Sequence, residues 1–67
     1  MSSMRIPVEI YSLSSIEQAI DAYRNLARIE WHRERENFIC LDFSDCKFDE
    51  NRTMKEFENY LISIENL

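Results

Sequence analysis

Phe38-Ile39-Cys40-Leu41-Asp42-Phe43 is the stretch on which the fold turns. It is a β-favourable apolar run, and it reads as a strand covered on both faces. Just before it, Glu34-Arg35-Glu36-Asn37 forms a polar turn. Upstream of the turn, Ile29 and Trp31 alternate with Glu30 and His32, the period of two that marks a second strand. The short turn makes these two strands a hairpin.

Toward the N-terminus, Ile16, Ala19, Ile20, Tyr23 and Ala27 fall at helical spacing, with Glu17, Gln18, Asp21, Arg24 and Asn25 on the other side. This predicts an amphipathic helix of about three turns. Ser12, Ser14 and Ser15 offer hydroxyls for its N-cap, and Ser14 with Glu17 fits a capping box. Before it, Ile6, Val8 and Ile10 alternate with Pro7, Glu9 and Tyr11 as a first strand, while residues 1–5 read as disordered. On the C-terminal side, Ser44 to Asn51 is a loop. Met54, Phe57, Leu61 and Ile64 then recur at three and four residues as a second helix. Asn51 or Thr53 can cap that helix, Thr53 with Glu56 matching the capping box, and capping also accounts for Asp49 and Glu50.

The order β-α-β-β-α has a geometric consequence. A strand-helix-strand crossover in one sheet is right-handed and parallel, and the hairpin then places the third strand between the other two. The expected fold is a single α+β domain over residues 1–67: a three-stranded sheet of order 1-3-2 with both helices on one face, a ferredoxin-like arrangement lacking its last strand. The outer edge of the first strand is left with unpaired main-chain groups, a template for another chain, although Pro7 partly blunts it. The second strand, at the opposite edge, is guarded by Glu30, Arg33, Glu34 and Arg35.

Composition narrows the function. Eight basic against thirteen acidic residues give a net charge of −5, which repels phosphate backbones and weighs against nucleic acid. Arg24, Arg28, His32, Arg33 and Arg35 form a local basic cluster, but Glu30, Glu34 and Glu36 interleave with it, as on a solvated mixed-charge surface. Two cysteines are too few for a secreted disulfide framework, and no stretch approaches the roughly 18 apolar residues of a membrane span, so a reduced, cytoplasmic setting is expected.

Catalytic chemistry finds little footing. The absence of glycine removes phosphate-cradling loops. The single histidine, His32, lies among charged neighbours with no marked nucleophile beside it. His32, Cys40 and Cys46 match no zinc spacing, and the cysteines read as small buried hydrophobes. Asp42, Asp45, Asp49 and Glu50 lack the alternating ligands and sharp-turn glycine of a calcium loop. No cofactor, metal or catalytic residue is expected. Trp31 joins Ile29 on the helix-covered face and reads as core. Tyr11, Phe38 and Cys40 fall by parity on the uncovered face, where an apolar patch beside charges marks a partner or self-association surface.

Ile10-Tyr11-Ser12-Leu13 leading into Ile16, Ala19 and Tyr23, together with Glu56-Phe57-Glu58-Asn59-Tyr60-Leu61, resembles the small HxsD-like proteins found with radical-SAM enzymes in the maturation of His-Xaa-Ser repeat peptides. The resemblance implies an accessory protein that assists peptide modification without carrying the iron-sulfur cluster, which two cysteines cannot ligate. The expectation is therefore a non-enzymatic adaptor that binds a peptide or protein partner by strand addition, with Glu9, Ile10 and Tyr11 at the edge and Phe38 and Cys40 on the face. The alternatives are a small acidic inhibitor or immunity protein that blocks a basic effector or nuclease, and a homodimeric structural module.

Overall fold

The chain folds as β1 (Ser2–Pro7), α1 (Leu13–Ala22), β2 (Arg28–Glu34), β3 (Phe38–Ser44) and α2 (Glu50–Glu65). The computed structural model describes residues 2–35 and 37–66. β3 lies in the middle and pairs antiparallel with both neighbours, so the sheet order is β1-β3-β2 and the two outer strands run parallel to each other. This is the expected α+β arrangement of order 1-3-2, ferredoxin-like with one strand fewer.

The alternation along β3 sets the layers. Ile39, Leu41 and Phe43 are wholly buried and meet Ile16 and Ala19 of α1 and Phe57 and Leu61 of α2 in one core, which places both helices on one side of the sheet. The register puts Met4 and Ile6 of β1, and Ile29 and Trp31 of β2, on that same side. The rings of Phe43 and Phe57 meet edge to face at 5.3 Å, and Tyr23 continues the stack onto Phe57 at 5.5 Å and Tyr60 at 5.7 Å. Burial, and after it the carboxylate of Glu56, pushes the Tyr23 phenol above its ordinary pKa.

β1 begins earlier than the alternation of Ile6, Val8 and Ile10 implies. Ser2 to Arg5, read from sequence as disordered, are strand residues paired with Phe43 to Cys40, while Met1 lies outside the described residues. The strand stops at Pro7. The amides of Ile10 and Tyr11 then turn back to the Pro7 carbonyl, and the Val8 amide bonds to Asn37. Val8 still packs on the core in phase with Ile6, but Ile10 is exposed and Tyr11, of the opposite parity, packs inward instead of lying on the uncovered face. Pairing with an apolar central strand overrides the weak β-propensity of Ser2-Ser3-Met4-Arg5.

The helix caps fall among the expected candidates, while the capping boxes do not form and α1 ends early. α1 is capped by Ser12, whose hydroxyl accepts from the Ser15 amide at 3.2 Å, rather than by Ser14. The acid that completes this cap comes from the other helix: Glu65 accepts from the Ser12 amide at 2.8 Å and from its hydroxyl at 3.0 Å. α1 ends at Ala22, sooner than a helix reaching Ala27; Ala27 is buried in the connection that precedes β2. α2 is capped by Asp49, as the capping reading of that residue expects, through the Arg52 amide at 2.9 Å, and Asn51 and Thr53 do not serve as the cap. Thr53 is buried and donates to the Asp49 carbonyl at 2.8 Å. The expected turn between β2 and β3 is present, with Glu36 outside the described residues. Without glycine, Arg35 (φ 61°) and Asp45 (φ 50°) take the left-handed conformations these bends require. Asp tolerates that region, whereas Arg carries the steric cost of its Cβ.

Three predictions follow from this packing. Leu61→Ala removes a wholly buried side chain and should cost about 2–5 kcal/mol in denaturant unfolding, far more than Ser63→Ala on the exposed face of the same helix. Arg35→Gly relieves the left-handed strain and should leave stability unchanged or raise it by about 1 kcal/mol. The hydrogen bonds from the Ser12 amide, and next from the Ser15 and Ser12 side chains, hold the Glu65 carboxyl below its ordinary pKa. The unfolded chain therefore binds a proton more readily. This contribution is complete above the ordinary glutamate range and is lost as pH falls through the depressed value. Thermal melts from neutral to acid pH should show the decline, and Glu65→Gln should flatten it.

Candidate functional site: a free strand edge and an open sheet face

β1 hydrogen-bonds to β3 along one side only, and among the described residues no backbone bond is made from Ser2 to Ile6 on the other side. Alternate residues of an antiparallel edge strand point their N–H and C=O groups outward. Arg5 is the one charged side chain of β1, and it is engaged by Glu34 through its Nε at 2.6 Å and through a terminal nitrogen. β2, at the other margin, carries Arg28, Glu30, His32, Arg33 and Glu34. The less guarded margin is therefore β1.

The sheet face away from the helices is polar, with one apolar island. Its rows follow from the register: Ser3, Asp42 and Glu30; Arg5, Cys40 and His32; Pro7, Phe38 and Glu34. Arg5 crosses β3 to reach Glu34 and lies 5.7 Å from the centre of the Phe38 ring. Cys40 is buried at 8% exposure, and Phe38 is half-buried. Burial foremost, then the negative charges of Asp42 and Glu34, pushes the Cys40 thiol above its ordinary pKa, with Arg5 opposing. His32 Nδ1 lies 3.8 Å from Asp42 Oδ2. Ser3 donates to Asp42 Oδ1 at 2.7 Å.

Of the expected binding residues, Phe38 and Cys40 do share the open face. Glu9, Ile10 and Tyr11 lie in the turn after β1 and take no part in its edge; Ile10 is 66% exposed, whereas Tyr11 is half-buried against the core. The edge that strand addition requires is formed by Ser2 to Pro7 instead. The signal that locates it is the position of Pro7, which ends a strand more readily than it interrupts one.

Trp31 is on the helix side of the sheet as its parity implies, yet it is 41% exposed rather than core. α1 does not reach over the margin of β2, and a groove of about 650 Å³ opens there between Ile20, Asp21 and Arg24 on one wall and Ala27, Ile29 and Trp31 on the other. The ends of the acidic loop are occupied by structural work. Asp49 caps α2, and Glu50 accepts from the Ser2 hydroxyl, which first among several influences lowers its pKa. Both cysteines are free thiols. Cys46 packs against the core on the helix side, so the sheet separates it from Cys40. Among the described residues, no helix is long and apolar enough to cross a membrane.

No protein-family model, curated protein or solved structure matches this chain.

The position of Trp31, the only tryptophan, is directly measurable. Its fluorescence should be quenched by a water-soluble quencher in the native state, with a rate constant well above that of a buried indole. A quenching rate constant no higher than that of a buried indole would put the ring back in the core.

Proposed function

We propose that the chain is a non-enzymatic binding module that takes an extended segment of a partner polypeptide as an added strand beside β1. The observation that carries this reading is the one-sided pairing of Ser2–Pro7 at the less charged margin of the sheet. A strand seated there gains main-chain hydrogen bonds without unfolding anything, and the alternating side chains of the newcomer meet Ser3 and Arg5 on the open face and Met4 on the helix side. The resemblance to HxsD-like proteins gives the partner a chemical class: a precursor peptide, or the radical-SAM enzyme that modifies it, with this chain as the accessory.

A second reading rests on Trp31. An exposed tryptophan at the rim of a groove is the kind of anchor around which protein interfaces form, and the net charge of −5 suits a basic partner surface. That reading makes the chain an acidic inhibitor or immunity protein and leaves β1 uninvolved.

Titration of isotope-labelled protein with a polypeptide captured from its native host separates the two. Strand addition predicts amide shifts concentrated in Ser2 to Ile6, with Trp31→Ala binding about as well as the parent. Shifts confined to Asp21, Arg24 and Trp31, with binding lost in Trp31→Ala, would replace it with the inhibitor reading. Concentration-dependent shifts at β1 without any partner, with a mass near twice 8.1 kDa, would point to a homodimer.

A further inference from the structure

His32, Glu34 and Cys40 bring three different donor atoms together on the open face of the sheet. His32 and Glu34 are two residues apart on β2, so the strand period points both side chains the same way, and Cys40 of β3 stands directly opposite His32. An imidazole nitrogen, a carboxylate oxygen and the thiol sulfur all lie within 4.8 Å of one another. We propose that these three residues bind a borderline divalent cation of the zinc class, as a three-ligand site with a fourth position left for water or a partner's donor.

The geometry needs a modest contraction. Donors at about 2.0–2.3 Å from a tetrahedral zinc ion are roughly 3.4–3.6 Å apart, so the ligand atoms must close by about 1 Å. The side chains of His32 (57% exposed) and Glu34 (32% exposed) have the freedom to do this, while Cys40 is the fixed point in the sheet. The donor set selects the metal: thiolate and imidazole disfavour calcium and magnesium and suit zinc or cobalt. On binding, the Cys40 thiol loses its proton to solvent and its sulfur donates to the ion.

Two neighbours bear on the site. Asp42 lies 3.8 Å from both His32 Nδ1 and the Cys40 sulfur, where its negative charge favours a bound cation and its carboxylate stands beside the imidazole. Glu30 stands opposite Asp42 on the same face, a like-charge pair that a bound cation relieves. Arg5 works the other way. Its guanidinium crosses β3 to hold Glu34, so it occupies one ligand and places a positive charge beside the other two. Arg5 and the metal are therefore competitors, which gives the site a signature that a mere surface cluster lacks.

Cobalt(II) titrated into the reduced 67-residue chain provides the test, because thiolate ligation to cobalt produces a charge-transfer absorption that other ligands do not. The expected result is saturation at one cobalt per chain with that absorption, bleached by zinc. It should persist in Cys46→Ser, disappear in Cys40→Ser and weaken at least about tenfold in affinity in His32→Ala, whose exposed side chain is dispensable for folding. Asp42→Asn should weaken binding about 10- to 100-fold. Arg5→Gln should tighten it, an effect that loss of structure would not produce. Absence of the thiolate band in the parent chain, its survival in Cys40→Ser, or unchanged affinity in both His32→Ala and Arg5→Gln would overturn the proposal.

Discussion

Everything in this protein depends on β3 being flanked by a strand on each side. Its three inward residues, Ile39, Leu41 and Phe43, are wholly buried, and they are the floor on which both helices rest. A chain of 67 residues buries only a modest share of its surface, so few side chains can define its core, and three of them lie here. The same pairing recruits Ser2 to Arg5 into β1 despite their poor strand propensity. It also leaves the two outer strands each with one unpaired margin among the described residues.

The helix layer is tied down at its ends as much as at its centre. Glu65, in the last turn of α2, caps the first turn of α1 through Ser12; Asp49 caps α2 locally; Ser2 of β1 donates to Glu50 in the first turn of α2. These contacts link the N-terminal strand and the first and last helical turns, so that each element fixes the start or end of another. They are polar and near the surface, and the contributions of Glu65 and Glu50, whose carboxyls are held below their ordinary pKa, fall with acid. In a domain with little core to spare, such ties decide whether the ends fray.

The apolar run from Phe38 to Phe43 is legible from its residues alone, and with the hairpin it leads to the order 1-3-2 and to helices on one face. The helical spacings of Ile16 and Ala19, and of Phe57 and Leu61, identify the core faces correctly. What is not legible is set by tertiary contact. Ser2-Ser3-Met4-Arg5 becomes a strand only because β3 is beside it, and past Pro7 the backbone turns so that Val8 and Tyr11, of opposite parity, both pack on the core. The cap of α1 needs an acid 53 residues away, which no local motif can announce. Trp31 has the parity of a core residue but sits where α1 falls short of the margin of β2. The donors His32, Glu34 and Cys40 are three separate letters in the chain until the hairpin register sets Cys40 opposite His32.

Edge and face offer different chemistry on the same sheet. Arg5 belongs to both, since it is the charged side chain of the free strand and the clamp on Glu34 at the centre of the open face. A polypeptide added beside β1 would sit next to that arginine, and a cation bound by His32, Glu34 and Cys40 would release it. Amide hydrogen exchange, read residue by residue, tests the sheet on which all of this rests. The account predicts continuous protection along β3 from Ile39 to Phe43, and an alternating pattern in β1 from Ser3 to Ile6, where amides aimed at β3 are slow and those aimed outward are fast. Unbroken protection along β1 in the isolated protein would show its outer margin already covered, and would contradict the free edge.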